Sequence, residues 1–145
     1  FARGLVVASP ILSFRSERAT AVSDKEVLFE GSRAMAKIAT EKTKFKELLV
    51  SDQEPALLPR QIPFVVLQRL EGQATNQNPD EDDFMSYAVE YAEHASAARD
   101  LVKLAKLGRQ GENGSEEVVQ LYATRAIDEI ESTSRILDKL ASLIK

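Results

Sequence analysis

His94 is the only histidine among the 145 residues, and Glu90 stands four residues before it. On a helix that spacing places an imidazole and a carboxylate on one face, which is half of a metal site. A di-iron carboxylate bundle needs a Glu-x-x-His pair from each of two helices. Position 91 is Tyr, so the pair does not occur even once. His94 therefore reads as an exposed or tip-solvated side chain. A haem would need axial ligands such as His and Met. Met35 and Met85 are the two methionines, and Met35 falls on an apolar seam, where it reads as core filling.

Other chemistries lack their parts. The chain has no cysteine, which removes disulfides, thiolate metal sites and thiol catalysis. No serine sits in a Gly-x-Ser-x-Gly elbow. Residues 108–114, Gly-Arg-Gln-Gly-Glu-Asn-Gly, lack the Gly-Lys-Ser/Thr ending and the preceding strand of a phosphate loop. The carboxylates of Asp80, Glu81, Asp82 and Asp83 suit a helix N-terminus. Those of Asp128, Glu129 and Glu131 suit a solvated helix face. No catalytic residue, no metal and no cofactor is expected, and the chain does not read as an enzyme.

The composition is that of an ordinary globular domain, 43% hydrophobic and 29% charged, with a net charge of −4. Setting aside Arg3, Arg15, Arg18 and Glu17 leaves 16 basic and 22 acidic groups in residues 22–145, a net −6. Aromatic content is 6% and no dense Lys/Arg stripe occurs, so phosphate-neutralising contact with nucleic acid is not expected.

Residues 1–21 read differently from the rest. Arg3 precedes an apolar run over residues 4–14, and Ala19-Thr20-Ala21 supplies a small-x-small site. A basic residue, a short apolar core and small residues are what an export signal requires. The run has 11 residues, against roughly 20 for a membrane-spanning helix. The expectation is a targeting remnant or apolar tail over 1–21, with the folded domain over 22–145.

Within that domain the apolar spacing predicts an all-α, up-down-up-down four-helix bundle behind an irregular N-terminal segment. Helix one starts at Ser23 or Asp24 and runs to about Val50, with Leu28, Met35, Ile38, Phe45 and Leu49 inward. Lys42, Lys44 and Lys46 then lie late in it, where the dipole favours cations. Pro55, Pro59 and Pro63 mark a connector in which Leu57 and Leu58 pack against the domain. Gln61 stands near an N-cap and Pro63 fits a first turn, giving a short helix to about Ala74. Helix three carries the seam Phe84, Ala88, Tyr91, Ala95, Ala98, Val102 and Ala105. After the glycine-rich hinge, Ser115 caps helix four, whose seam is Val119, Ala123, Ala126, Ile130, Thr133, Leu137, Leu140 and Ile144.

With chemistry set aside, recognition remains. Arg33, Lys37, Lys42, Lys44 and Lys46 lie on helix one, and the acids lie on helices three and four. Such a dipolar surface orients a bundle on a charged partner. Leu57 and Leu58 of the connector complete the candidate partner-binding set, since irregular segments often carry binding residues. A bundle carrying a ligand or metal in its core, and a bacterial periplasmic adaptor, are the alternatives.

The leader and the cysteine-free helical remainder together resemble the PsbQ-like family of thylakoid lumen extrinsic proteins. Residues 30–37 (Glu-Gly-Ser-Arg-Ala-Met-Ala-Lys) and 122–126 (Tyr-Ala-Thr-Arg-Ala) are also similar to a small lumenal protein implicated in maintaining photosystem II under high light. The resemblance implies residence in the chloroplast thylakoid lumen, a transit peptide, and no catalysis. It also implies peripheral docking on photosystem II or a related thylakoid membrane complex, in support of its assembly, repair or stability. No proline-rich arm like that of plant PsbQ is seen, so that mode of docking does not carry over.

Overall fold

The computed structural model describes residues 23–74, 84–110 and 115–144. The expected leader over 1–21, the acids at 80–83 and the hinge at 111–114 lie outside the described residues. Five helices are described: α1 (Asp24–Thr40), α2 (Lys42–Val50), α3 (Phe64–Gly72), α4 (Phe84–Gln110) and α5 (Glu116–Leu143). The protein is all-α.

The long pair α4 and α5 forms the body. All seven seam residues expected for α4 and all eight expected for α5 are buried. Alanines at 88, 95, 98 and 105 of α4 and at 123 and 126 of α5 let the two backbones approach. Ile127, Ser134, Ile136 and Ala141 are buried as well, so the inward stripe of α5 is broader than a two-helix seam requires. The extra width serves α1 and α2, which also pack along α5. Ser115 begins α5 by accepting a hydrogen bond from the Val118 N–H at 3.2 Å, as expected of an N-cap.

Helix one is not one rod. Ser23 starts α1 with a capping box, exchanging hydrogen bonds with Glu26. Glu41 then leaves helical geometry (φ −90°, ψ 57°) and α2 begins at Lys42. The reason lies in the stripe. At 3.6 residues per turn, Phe45 and Leu49 would fall roughly 80° around an unbroken helix from Leu28, Met35 and Ala39. All five are buried, and the break lets both sets reach the core. Thr40 contributes locally, its hydroxyl donating to the Ala36 carbonyl at 2.8 Å, an interaction that bends helices. The break also overturns the placement of Lys42 and Lys44. They occupy the first turn of α2, not the end of a helix, and the dipole there opposes cations.

Asp52 ends α2 with φ 61°, a left-handed conformation that Asp tolerates. The Gln53 N–H bonds the Leu48 carbonyl at 2.8 Å and the Asp52 N–H bonds the Leu49 carbonyl at 3.1 Å, the pattern of a Schellman stop. The chain then runs back along α4. Gln61 donates to the Ala92 carbonyl at 2.9 Å, and the Tyr91 hydroxyl donates to the Arg60 carbonyl at 2.7 Å. Gln61 thus anchors the connector to α4 and takes no part in capping. Pro63 sits just before α3 and not in its first turn. Arg69 of α3 grips Asp24 of α1 with two hydrogen bonds, at 3.1 and 3.2 Å, and Gln73 adds a third at 3.2 Å. A single antiparallel bridge pairs Ala74 with Ile144. These contacts bring the end of α3 to the start of α1 and to the residue that ends α5.

Candidate functional site

The break at Glu41 creates a concavity. The end of α1 brings Ala34, Lys37 and Ile38 to it, α2 brings Lys44, Phe45 and Leu48, and the connector brings Pro55, Ala56 and Leu57. Glu41 stands between the two helical contributions. The space is an open groove of about 240 Å³ with an apolar floor. Phe45 is buried at its base, Ile38, Leu48 and Leu57 are half-buried, and Lys37 and Lys44 are exposed at the rim.

Three of the seven partner-binding residues expected from the sequence meet here: Lys37, Lys44 and Leu57. The other four do not line it. Arg33 is exposed one turn before Lys37, and Lys42 is exposed at the first position of α2. Leu58 is half-buried against the core. Lys46 borders a separate, larger surface hollow of about 380 Å³ with Thr43, Glu47, Val50, Ser51, Glu116 and Gln120. That hollow mixes polar and apolar groups and has no comparable apolar floor.

Ala34, Leu48 and Ala56 of the groove were not anticipated, and Ile38 and Phe45 were expected only as core. One signal was readable. The seam that passes through Leu28 and Met35 meets Lys42 at the next heptad position before Leu49. A lysine where a continuous rod needs an apolar residue marks the interruption.

Lys37 and Lys44 share with Lys25, Arg33, Lys42, Lys46, Arg60, Arg99, Lys103 and Arg125 the lack of an ion pair among the described residues, whereas five other cations are engaged. Arg69 is paired with Asp24, Lys106 with Glu54 at 2.6 Å, and Arg135 with Glu131 at 3.8 Å. Arg109 donates to the Val50 carbonyl, and Lys139 lies 5.2 Å from the Tyr87 ring centroid. Among the described residues, Lys37 and Lys44 make no ion pair. Neither intramolecular pairing nor the helix dipole accounts for Lys44.

His94 is partly exposed, within the expectation of an exposed or tip-solvated side chain, and it also has a partner. Its Nδ1 lies 2.5 Å from Glu129 Oε1, with both side chains only about one third exposed (36% and 29%). The carboxylate partner comes from α5 and not from Glu90 of its own helix. Such a pair fixes the orientation of the ring. Among the described residues no group of three or more His, Asp or Glu side chains could hold a metal ion. The arrangement clips α4 to α5.

No protein family model, curated protein or solved structure matches this chain. No described helix is long and apolar enough to cross a membrane.

Proposed function

We propose that this chain is a non-catalytic docking protein that binds through the groove at the α1–α2 break. In this reading α1 and α2 form one bent rod and the connector with α3 forms a second, shorter rod. With α4 and α5 they make an up-down-up-down four-helix bundle, and the bundle serves as a rigid holder. The observation that carries the reading is the coincidence of an apolar concavity with two unpaired lysines. An apolar centre within a polar rim is the usual anatomy of a protein interface.

For the partner, the resemblance of the leader and of residues 30–37 and 122–126 suggests photosystem II or a related thylakoid complex. We propose that the protein resides in the thylakoid lumen and sits peripherally on the lumenal side of that complex, supporting its assembly, repair or stability. The test is fractionation of thylakoids followed by native electrophoresis. Co-migration with a photosystem II assembly, release by high salt and loss of co-migration in a K37E/K44E variant are expected. Recovery only from stroma or cytosol would overturn the assignment.

A further inference from the structure

We infer that the groove seats an acidic amphipathic segment of a protein partner, its apolar side chains entering between α1, α2 and the connector and its carboxylates meeting Lys37 and Lys44. The inference rests on the docking reading above and deepens it by naming the chemistry of the bound segment. Three observations select that occupant. At about 240 Å³ the groove lies below the roughly 300–1,000 Å³ of pockets that enclose small molecules, so it suits a few inserted side chains. Its floor is contributed by three successive chain segments and is apolar along its length, as grooves for amphipathic helices are. Its two rim cations are unpaired among the described residues, and the polarity they demand is negative. Glu41 is the single carboxylate lining the groove. Its side chain makes no capping hydrogen bond to α2, so it can be neutralised without removing a cap.

The experiment uses the full chain and three fluorescent 12-residue peptides. One has leucines at i, i+3, i+4 and i+7 with glutamates at the remaining positions. The second has lysines in place of the glutamates. The third keeps the glutamates and replaces the leucines with serine. Binding is read by anisotropy at low and high salt, and the contact surface by amide chemical shifts. The leucine–glutamate peptide is expected to bind about tenfold tighter than the leucine–lysine peptide, the factor given by two exposed charge pairs turned from attraction to repulsion. The serine peptide should not bind. K37E/K44E should reverse the preference and E41Q should strengthen the acidic peptide. Ala56→Trp, at an exposed connector position, should block the groove. Shifts should centre on Ala34, Ile38, Leu48 and Ala56.

Equal affinity for both leucine peptides would overturn the inference. So would shifts centred on the exposed Leu104, Leu107 and Leu121, tighter binding to phosphatidylglycerol vesicles than to the acidic peptide, or self-association abolished by K37E/K44E. Peptide binding without thylakoid co-migration sustains the groove's specificity and removes the photosystem assignment. Co-migration that survives K37E/K44E, with no peptide binding, removes the groove and keeps the assignment.

Discussion

Ser32 and Ser134, 102 positions apart, hydrogen-bond each other's backbone across the buried α1–α5 contact. Each hydroxyl donates to the other residue's carbonyl at 2.9 Å, and the two oxygens lie 3.2 Å apart. Ser32 is 3% exposed and Ser134 7%. The hydroxyls are satisfied without water, and their small size lets α1 approach α5 closely.

Removing either hydroxyl therefore deletes one bond while leaving both carbonyls in place. Ser32→Ala and Ser134→Ala should each lower stability by about 1 kcal/mol in urea denaturation. Each single variant keeps the bond made by the other hydroxyl. The double alanine variant should depart from the sum of the two, since the hydroxyls share one buried network and contacting residues couple by about 0.5–3 kcal/mol. Ser134→Leu should cost more, about 1–3 kcal/mol, by forcing the helices apart. An Ala variant as stable as wild type would show that the pair is open in solution.

Tyr91 ties the connector to the body. Its ring is buried in α4 and its hydroxyl holds the Arg60 carbonyl. Tyr91→Phe keeps the packing and loses the bond, so about 1 kcal/mol of stability should go at neutral pH, with faster proteolysis between residues 51 and 63. Burial also pushes the phenol well above the ordinary tyrosine range. The unfolded chain releases that proton near pH ~10 while the native chain retains it. The stabilisation is therefore full below about pH 10 and declines as pH rises further. Denaturation at pH 9 and pH 11 should show wild type losing more stability over that interval than Y91F. Equal losses would place the phenol in solvent.

These residues also show what the sequence made legible. The α4 and α5 seams repeat over many turns, so one or two ambiguous positions could not hide the period, and every seam residue is buried. Ser32 and Ser134 carry no such mark, because a serine on a stripe reads alike whether it faces water or a facing carbonyl. The break at Glu41 leaves one trace, Lys42 at a heptad position of the apolar seam. Neither proline nor glycine stands there, and Glu and Lys are good helix formers. Tertiary packing decides it, since Phe45 and Leu49 must reach a core that a straight rod would turn them from. The groove follows from that break, which is why Lys37, Lys44 and Leu57 could be named singly but not assembled.

Glu54 and Lys106 join the start of the connector to the end of α4, with Nζ and Oε2 2.6 Å apart. The hydrogen bond from Lys106, reinforced by its charge, holds the Glu54 carboxyl below the ordinary carboxylate range, and Glu54 raises Lys106 by the same contact. The signs give opposite limits. The carboxylate contributes stability above its unfolded value and loses it as pH falls through its lowered native value. The ammonium contributes below its unfolded value and loses that as pH rises through its raised native value. The pair lies at the surface, so salt screens it. A carboxyl-carbon NMR titration of Glu54 should give a depressed midpoint that returns to the ordinary range in Lys106→Met and in high salt. An unchanged midpoint in Lys106→Met would mean the two groups do not meet in solution.

Gly72 and Gly108 are both helical, yet an added methyl group meets different surroundings. A Cβ at Gly72, exposed at the end of α3, would have nothing within 4 Å. Gly72→Ala should therefore raise stability by about 0.5–1 kcal/mol, chiefly by restricting the unfolded chain. A Cβ at Gly108 would stand 2.9 Å from Val118 Cγ1 on α5. Val118 is β-branched, and in a helix one χ1 rotamer dominates, so the methyl groups cannot simply turn aside. The same propensity gain is there outweighed by overpacking of about 1–3 kcal/mol, and Gly108→Ala should be destabilising. Relief should come from Val118→Ala in the same chain, because that substitution removes the atom in the way. Thermal denaturation of the three variants resolves the argument: if Gly108→Ala stabilises as much as Gly72→Ala, the helices are not in close contact at this level.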